Sequence, residues 1–285
     1  MPREQGFLAL FCFSIFYIFS SPVVACALAK GESVAIAGAG EDGVLTLSDG
    51  RSVKLVGIDM PEPRASLPGD LPGKTVFLQY GGTRIDRYGR ALALVMFADG
   101  SSLQERLIAD GAARVAPSGD MRLCMADLLA AEARARSSRR GLWRDPAFAV
   151  RQADDVAALD RLEGSYQLVE GVVKSVAKIR GRLYFNFSDD WRSDFTVTVG
   201  ADDAKLFAVG GWGKLTSKEP LLVGAKVRVR GVLSRYNGPG ITVAVPEQIE
   251  LLDRAMPEES KKAADERGRK TSAKKPRRKP DDAAR

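Results

Sequence analysis

Residues 53–90 constrain the fold most, because they predict two strands with charged residues at their ends. Apolar residues alternate along the first strand, and Pro61 ends it because proline has no amide hydrogen to donate to a sheet. Asp59 and Glu62 therefore lie at the end of this strand and in the loop that follows it. Arg90 begins the second strand after a tight turn. The sheet thus holds charged side chains at its edge, where they remain open to a ligand.

The charged residues of this stretch suit the hydrolysis of a phosphodiester bond. Asp59 and Glu62 are carboxylates that can hold a metal ion and orient water. Lys54 and Arg90 are cations that can stabilise the charge developing on phosphoryl oxygens. The sequence contains no histidine, which excludes catalytic sites of the Ser-His-Asp and Cys-His types and zinc sites built on histidine. A general base in this chain is therefore a carboxylate, a lysine or a tyrosine.

Residues 32–143 contain, in this order, the segments VKLVGIDMPEP, DRYGRALA, LIADGAARV and AEARARSSRRGLW. Together these segments resemble the staphylococcal nuclease (thermonuclease) family. The resemblance implies a small barrel of the OB type, phosphodiesterase activity on DNA or RNA, and calcium as the cofactor. It also implies that Glu62 orients the attacking water, that Arg90 is one of two arginines that clamp the phosphate, and that Asp59 is a calcium ligand.

Three departures from the family pattern predict a weakened active site. The second clamping arginine is replaced by Lys54, which keeps the charge but lacks the planar pair of donors that grips a phosphate. The second metal-ligand aspartate falls on Gly43, so that a shift in register is needed for Asp42 or Glu41 to take its place. The long helix expected after the Pro-Glu motif is replaced by residues 63–74, whose prolines and glycines exclude such a helix.

Each of these residues also has an ordinary structural interpretation. Asp59 can cap a turn before Pro61, and Glu62 can be a solvated loop acid. Arg90 can pair with Asp86 in a hairpin. The ordered set of residues nevertheless favours a phosphate site over separate structural roles.

Turn signals and alternating apolar residues predict a mainly β fold with helices, arranged as two five-stranded barrels of the OB type. The first barrel is nuclease-like and has C-terminal helices. The predicted segments are a signal peptide (1–29), a nuclease-like domain (30–148), a linker (149–163), an OB-fold-like domain (164–254) and a disordered basic tail (255–285).

The second predicted barrel contains the alternating strand KVRVRGVL at residues 226–233. Its valines predict a core face and its cations an outer face. This domain resembles OB-fold modules that bind nucleic acid, which implies that Arg228 and Arg230 contact phosphates and that Trp212 stacks on bases. The same roles are implied for Lys174, Lys178, Arg180, Arg182, Tyr184, Trp191 and Tyr236. The alternative is that these cations lie on ordinary outer strand faces and the aromatics in cores or turns.

The formal net charge is +7, and it is confined to the end of the chain. Residues 261–285 contain eleven lysines or arginines and four acids, which account for the whole excess. Because the body of the chain is balanced, its overall charge does not indicate nucleic-acid binding. The tail has no aromatic residue and is predicted to be disordered. It can bind nucleic acid, an anionic lipid or a cell-surface polymer, or it can be a solvated tail.

Residues 1–29 predict export to the periplasm or secretion. Arg3 supplies a positive start, residues 7–19 are almost wholly apolar, and small residues follow at the spacing of a cleavage site. Cleavage after Ala27 or Ala29 would release a soluble protein.

The segment VVAC at residues 23–26 also resembles a bacterial lipoprotein signal, which would attach a lipid anchor at Cys26. An uncleaved membrane anchor is a third alternative, and Pro22 argues against it. Since Cys12 lies in the apolar segment and Cys26 is removed or lipidated, Cys124 alone remains in the mature chain. Cys124 is predicted to be a small core residue on a helix, and no internal disulfide is expected.

Three hypotheses for the function follow. The first is an exported, thermonuclease-like phosphodiesterase that acts on nucleic acid with a weakened active site. The second is a non-catalytic nucleic-acid-binding protein on the same scaffold, and the third is an envelope protein whose barrels mediate protein contacts. Calcium-dependent cleavage that is lost in Glu62→Gln would distinguish the first hypothesis. Salt-dependent binding without cleavage would distinguish the second from the third.

Overall fold

A computed structural model of the chain describes residues 29–253, except residue 191 and residues 217–220. The predicted signal peptide up to residue 28, the predicted basic tail and Trp191 lie outside the described residues. Within the described part, no helix is both long enough and apolar enough to cross a membrane.

The first part of the chain contains strands β1 (Ala29–Ala39), β2 (Leu45–Leu47), β3 (Ser52–Leu55), β4 (Ile58–Asp59), β5 (Thr75–Ile85), β6 (Ala91–Met96) and β7 (Arg114–Val115). Its α-helices are α1 (Pro63–Ser66), α2 (Leu103–Ala109) and α3 (Met125–Ser137). It also contains 3₁₀ helices at Gly119–Cys124, Gly141–Arg144 and Pro146–Phe148.

Five of these strands close into a barrel in the order β1-β2-β3-β6-β5. β3 and β6 are parallel, with Lys54 opposite Leu92, and the other neighbours in the barrel are antiparallel. β4 and β7 form a separate antiparallel pair that places Asp59 opposite Arg114. The prediction of a five-stranded barrel followed by helices is therefore confirmed for this part of the chain.

The interior of the barrel is filled by the apolar residues of the predicted alternation. Val53 and Leu55 are buried in the core, whereas Lys54 between them is exposed. Burying one such apolar side chain contributes about 1.5–3 kcal/mol. α3 packs Met125 and Leu128 against the same core. The prediction that no long helix follows the Pro-Glu motif is also confirmed, because α1 has four residues.

The second part of the chain contains strands β8 (Arg151–Gln152), β9 (Tyr166–Val172), β10 (Ser175–Ile179), β11 (Arg182–Asn186), β12 (Thr196–Val199), β13 (Lys226–Tyr236), β14 (Gly238–Val243) and β15 (Ile249–Leu251). Its α-helices are α4 (Val156–Asp160) and α5 (Gly210–Leu215), with 3₁₀ helices at Ala204–Phe207 and Pro246–Gln248.

The second sheet repeats the strand order of the barrel. Its order is β10-β11-β12-β14-β13-β9-β8, with β15 also paired to β13. β12 and β14 are parallel, and they correspond to β3 and β6. β9 and β10 are consecutive in the chain, with only Val173 and Lys174 between them. Together they correspond to the single strand β1 of the barrel: β10 pairs with β11 and β9 pairs with β13. The sequence predicts five strands here, whereas the sheet has eight, because the first strand is divided and two short strands are added.

The predicted linker, residues 149–163, takes part in the second fold. It contains β8, which pairs with β9, and α4, whose Leu159 is fully buried in the second core. The core of the second part is therefore built partly from residues that the sequence assigns to a connection.

Cys124 is buried, as the sequence predicts, with 2% of its surface exposed. The full chain carries a disulfide at Cys124, whereas the prediction of no internal disulfide concerns the mature chain, so it stays a prediction. That prediction assumed that Cys26 is removed or lipidated before it can pair. Cys12 and Cys26, the other two cysteines of the sequence, lie outside the described residues.

Candidate active site

Glu62 lies in the turn between β4 and α1, and it is exposed. Ser66 holds the backbone of this turn, because its amide and its hydroxyl lie 3.0 and 2.7 Å from the carbonyl oxygen of Glu62. The same hydroxyl lies 2.9 Å from the carbonyl oxygen of Ala112. The carboxylate is therefore presented to solvent from a fixed backbone, as a group that orients water requires.

The turn at Asp42 and Gly43 packs directly against this corner. Gly43 has a φ of +75°, and a Cβ atom there would lie 2.8 Å from both Met60 Cε and Pro63 Cβ. Met60 and Pro63 flank the Pro-Glu dipeptide that contains Glu62. The turn that carries Asp42 therefore lies beside the Glu62 corner, and Asp42 Oδ1 accepts a hydrogen bond from the amide of Val44 at 3.1 Å.

Arg90 reaches the same place from the start of β6. Its Nη1 lies 4.0 Å from Asp42 Oδ2. Its Nε and Nη2 lie 2.8 and 2.7 Å from Asp86 Oδ2, so the hairpin ion pair that the sequence left as an alternative is present. Arg90 therefore lies between two carboxylates, with its Nη1 atom toward the Asp42 turn.

Asp86 fixes the orientation of this arginine. Burial alone would raise the pKa of Asp86, but hydrogen bonds from the Arg90 side chain and from the amides of Arg90 and Tyr88 hold that pKa below its ordinary value. Asp86 is therefore ionised at neutral pH and anchors the guanidinium group by its Nε and Nη2 atoms.

Lys54 lies on the same pair of parallel strands as Arg90. It is exposed on β3, opposite Leu92 of β6. It also lines a cavity of about 280 Å³ together with Thr83 and Ser118. Its ammonium group offers a point charge beside this cavity but no planar pair of donors.

Asp59 is held by an arginine that the sequence analysis did not single out. Arg114 Nε and Nη2 donate to Asp59 Oδ2 at 3.0 and 2.7 Å. The Arg114 side chain is 6% exposed and that of Asp59 is 28% exposed. One oxygen of the predicted calcium ligand is therefore committed to a buried cation.

The carboxylates of this region do not form the donor set that calcium takes, which is six to eight oxygen ligands. Among the residues that the structure describes, no group of three or more His, Cys, Asp or Glu residues is placed to hold a metal ion. Asp59 is bound to Arg114, Asp42 lies near Arg90, and Gly43 contributes no side chain. Calcium remains a prediction from the resemblance, and no chemical step is assigned to it here.

Known proteins identify the family of the first barrel. Residues 52–145 match the family described as "Staphylococcal nuclease homologue". Two curated Escherichia coli proteins, one of them from strain O157:H7, are both named "Uncharacterized endonuclease". Each is 30% identical to the chain over 139 residues, which is 87% of the relative and 46% of this chain. The chain belongs to the staphylococcal nuclease homologue family.

In this staphylococcal nuclease homologue the predicted site residues divide into two groups. Arg90, Asp42 and the corner that carries Glu62 come together at one edge of the barrel, with Lys54 on the adjoining strand pair. Asp59 instead faces Arg114. Arg90 and the turn of Asp42 thus lie at the edge that carries the Glu62 corner, whereas the predicted metal ligand Asp59 is paired with a buried arginine.

Three of the residues predicted to bind nucleic acid in the second part are not available for that role. Arg230 is fully buried and lies 2.7 Å from Glu132 Oε2 of α3. The side chain of Arg228 is 13% exposed and bonds Glu170 at 2.9 Å. Trp212 is 7% exposed and packs edge-on against Phe207. Arg230 is buried because β7 and α3 cover the face of β13 that the alternation marks as outer, where it contacts Val115 and Glu132.

Other cations of the second sheet remain exposed. They lie in a basic hairpin formed by β10 and β11 and their flanks, which carries Lys174, Lys178, Arg180 and Arg182. Tyr236, at the tip of the neighbouring β13–β14 hairpin, is 89% exposed. The prediction that these residues bind nucleic acid stays open.

The sequence indicated one of the two ion-pair partners of the predicted site residues and not the other. Asp86 was considered as a partner of Arg90, and its spacing of four residues across a turn was the available signal. Arg114 carries no such signal, because it is separated from Asp59 by 55 positions and meets it through strand pairing.

Proposed function

We propose that the first barrel cleaves phosphodiester bonds in DNA or RNA, with Glu62 orienting the attacking water and Arg90 stabilising the phosphoryl oxygens. One observation carries the proposal: Gly43 packs against the corner that holds Glu62, while the adjacent Asp42 lies 4.0 Å from Arg90. A solvent-exposed carboxylate and an anchored guanidinium therefore share one edge. The relatives named as endonucleases support the same class of reaction.

Substrate phosphate has a defined place on Arg90. Asp86 occupies the Nε and Nη2 atoms, and Nη1 faces Asp42, whose side chain is 65% exposed. An exposed ion pair of this kind is worth about 0–1 kcal/mol. A phosphate oxygen can thus displace Asp42 from Nη1 at small cost, while Asp86 continues to orient the arginine.

We expect the site to be weak because one of its two cations is a lysine. Asp86 takes only the Nε side of Arg90, so the edge formed by Nη1 and the second Nη2 hydrogen remains for a phosphate. Lys54 supplies a second charge but no fork. Loss of one such transition-state donor lowers kcat by about 10²–10³ in other enzymes, and we expect a comparable deficit relative to a site with two free arginines.

The decisive experiment measures degradation of single-stranded DNA and RNA by the full chain with calcium, with magnesium and with a chelator. Glu62→Gln keeps the shape of the side chain but cannot accept a proton, and general acid–base groups contribute about 10²–10⁴-fold. We expect the cleavage rate to fall by that factor. Asp202→Asn, an exposed acid of the second part, is the matched control and should leave the rate unchanged. Cleavage that survives Glu62→Gln would refute the proposal.

A non-catalytic nucleic-acid-binding protein is the second candidate. One observation favours it: Arg90 is already engaged by its ion pair with Asp86. It predicts binding that weakens steeply with salt and no cleavage under any of the three conditions. If neither binding nor cleavage is seen at low salt, the remaining interpretation is an envelope protein whose two sheets contact other proteins.

We also propose that the protein is exported. The support is the sequence of residues 1–29, with Arg3, the apolar run and the small residues that follow. Mass spectrometry of the protein from a bacterial periplasmic fraction would distinguish cleavage after Ala27 or Ala29 from a lipid at Cys26. Retention of the uncleaved chain in the cytoplasm would contradict export.

A further inference from the structure

Arg114 is buried at the junction of the two parts of the molecule, and its guanidinium group is fully engaged. Nε and Nη2 donate to Asp59, and Nη1 donates to the carbonyl oxygen of Tyr166 at 2.8 Å. The guanidinium carbon lies 5.1 Å from the ring centre of Tyr166 and 5.3 Å from that of Phe148. An arginine held by three hydrogen bonds and two rings has one orientation.

The strand that carries Arg114 controls the position of the Glu62 corner. β7 pairs with β4, with Asp59 opposite Arg114, and the amide of Ala116 donates to the carbonyl oxygen of Gly57 at 2.9 Å. Met60, Pro61 and Glu62 follow β4 directly. Any displacement of β7 is therefore passed through β4 to the backbone of the corner.

The second sheet holds β7 from its other side. The Tyr166 hydroxyl of β9 donates to the carbonyl oxygen of Val115 at 2.7 Å, and Arg230 Nη1 of β13 lies 3.2 Å from the same oxygen. The amide of Val115 donates to Glu132 Oε1 at 2.7 Å, and Glu132 in turn binds Arg230. Burial raises the pKa of Tyr166, so its hydroxyl remains a donor at neutral pH.

We propose that Arg114 is a positioning residue. Its ion pair with Asp59 and its hydrogen bond to Tyr166 tie β4 to the second sheet, so that the second sheet sets the position of Glu62. This role differs from the calcium-ligand role that the family resemblance implies for Asp59. The second sheet is then a structural part of the active site, although it contributes no residue to the reacting edge. The kinetic part of this inference rests on the proposed function, whereas the structural part does not.

Hydrogen exchange of the full chain tests the structural part without any assay of activity. Tyr166→Phe removes the hydroxyl that binds Val115 but keeps the ring, and Arg114→Gln removes the anchor itself. We expect the amides of residues 57–62 to exchange about tenfold faster in Arg114→Gln, with a smaller increase in Tyr166→Phe, because local opening of this segment becomes easier.

The matched control is Glu247→Gln. It breaks the ion pair between Glu247 Oε2 and Arg122 Nε, which lie 2.8 Å apart at the same junction. Among the described residues, this pair makes no side-chain hydrogen bond to β4 or β7. Exchange at residues 57–62 should stay at the parental rate in this variant. Unchanged exchange in Arg114→Gln and Tyr166→Phe, or an equal increase in Glu247→Gln, would overturn the proposal.

Thermal denaturation with and without calcium separates the two roles of Asp59. As an anchor, Asp59 stabilises the fold in either condition, so Asp59→Asn should lower Tm equally in both. As a calcium ligand, Asp59 would give the parent a calcium-dependent rise in Tm that disappears in Asp59→Asn, since a ligand that binds the folded state stabilises it. The second result would overturn the anchor role.

Kinetics test the consequence for catalysis. We expect kcat in Tyr166→Phe to fall about tenfold with little change in KM, because a misplaced catalytic group weakens the transition state more than substrate binding. Arg114→Lys, which keeps the charge, should recover part of the kcat lost in Arg114→Gln. A change in KM alone would count against positioning. If the parent does not cleave nucleic acid, the proposed function fails, and the exchange result still decides the structural inference.

Discussion

The barrel and the second sheet share one strand order but differ at the place where their parallel strands meet. The barrel carries Arg90 just before β6 and Lys54 on the partner strand β3. The second sheet carries Gly240 at the corresponding place in β14 and Thr198 on β12. The scaffold alone therefore does not create a phosphate site, and a few residues at the strand ends decide whether one exists.

Charged residues are also used differently in the two parts. In the barrel, Glu62 and Lys54 face solvent, whereas β13 of the second sheet directs Arg230 into a buried junction with Glu132 and Glu250. The second sheet thus uses its strand cations to hold the barrel. We derive four predictions from this contrast. They are ordered from the largest to the smallest expected change in the free energy of unfolding, activation or binding.

Arg230→Met should have the largest effect, because it leaves the fully buried Glu132 carboxylate without its main cationic partner. Breaking a buried ion pair on one side costs about 3–5 kcal/mol of the free energy of unfolding, which urea denaturation can measure. Arg182→Met removes an exposed arginine of the same sheet and should change stability by less than about 0.5 kcal/mol. Equal effects of the two substitutions would show that the junction does not depend on Arg230.

Arg90→Gln should remove most of the phosphate-binding capacity that distinguishes the β3–β6 pair of the barrel from the β12–β14 pair of the second sheet. Without the guanidinium, the developing phosphoryl charge loses its anchored donor, and we expect the cleavage rate to fall about 10²–10³-fold. Steady-state kinetics on single-stranded DNA would measure the loss. Arg161→Gln, which changes an exposed arginine outside the basic hairpin, serves as the control and should retain the parental rate. A similar loss in both variants would indicate that bulk charge, not position, supports catalysis.

Gly240→Ala tests whether the second sheet can accept any side chain where the barrel has Arg90. A Cβ atom there would lie 2.8 Å from the carbonyl oxygen of Thr196, so the strand pair must shift, at a cost of about 1–3 kcal/mol. Thermal denaturation would report the loss of stability. At Gly69 nothing lies within 4 Å of such an atom, and Gly69→Ala should have a much smaller effect. A neutral Gly240→Ala would show that the two strand pairs differ by sequence alone.

Arg180→Gln in the basic hairpin should have the smallest effect. If the hairpin binds phosphates, loss of one cation lowers the slope of log affinity against log salt by about 0.7–0.9, and the cleavage rate stays within twofold. Fluorescence titration of single-stranded DNA at several salt concentrations would measure this slope. An unchanged slope would remove the hairpin from the nucleic-acid surface.

Local pattern sufficed to predict the barrel and much of its edge. The alternation around Lys54 gave β3, and the Pro-Glu corner and the turn before Arg90 were both placed correctly, because strand period and turn chemistry are short-range properties. The family resemblance supplied the order of these pieces. The contact of Gly43 with Met60 lay beyond local pattern, since it depends on how two turns meet in space.

Two of the misplaced residues are engaged by a distant part of the chain. Arg230 and Asp59 look exposed by alternation and by loop position, but each meets a partner more than fifty residues away. Trp212 lies in a glycine-rich segment that predicts a loop, yet it forms part of α5 and its ring packs in the core. Periodicity identifies two faces of a strand, and it does not say whether a second sheet covers one of them.

The close packing of Gly43 limits how this chain could evolve. Its left-handed backbone and its contacts with Met60 and Pro63 mean that a carboxylate cannot appear at position 43 by one codon change without pushing the Glu62 corner aside. A lineage with this sequence would need at least one compensating replacement before a pair of aspartates could meet. A direct replacement of Gly43 by aspartate therefore passes through a poorly packed protein, whereas replacement of an aspartate by glycine at this position meets no such steric barrier.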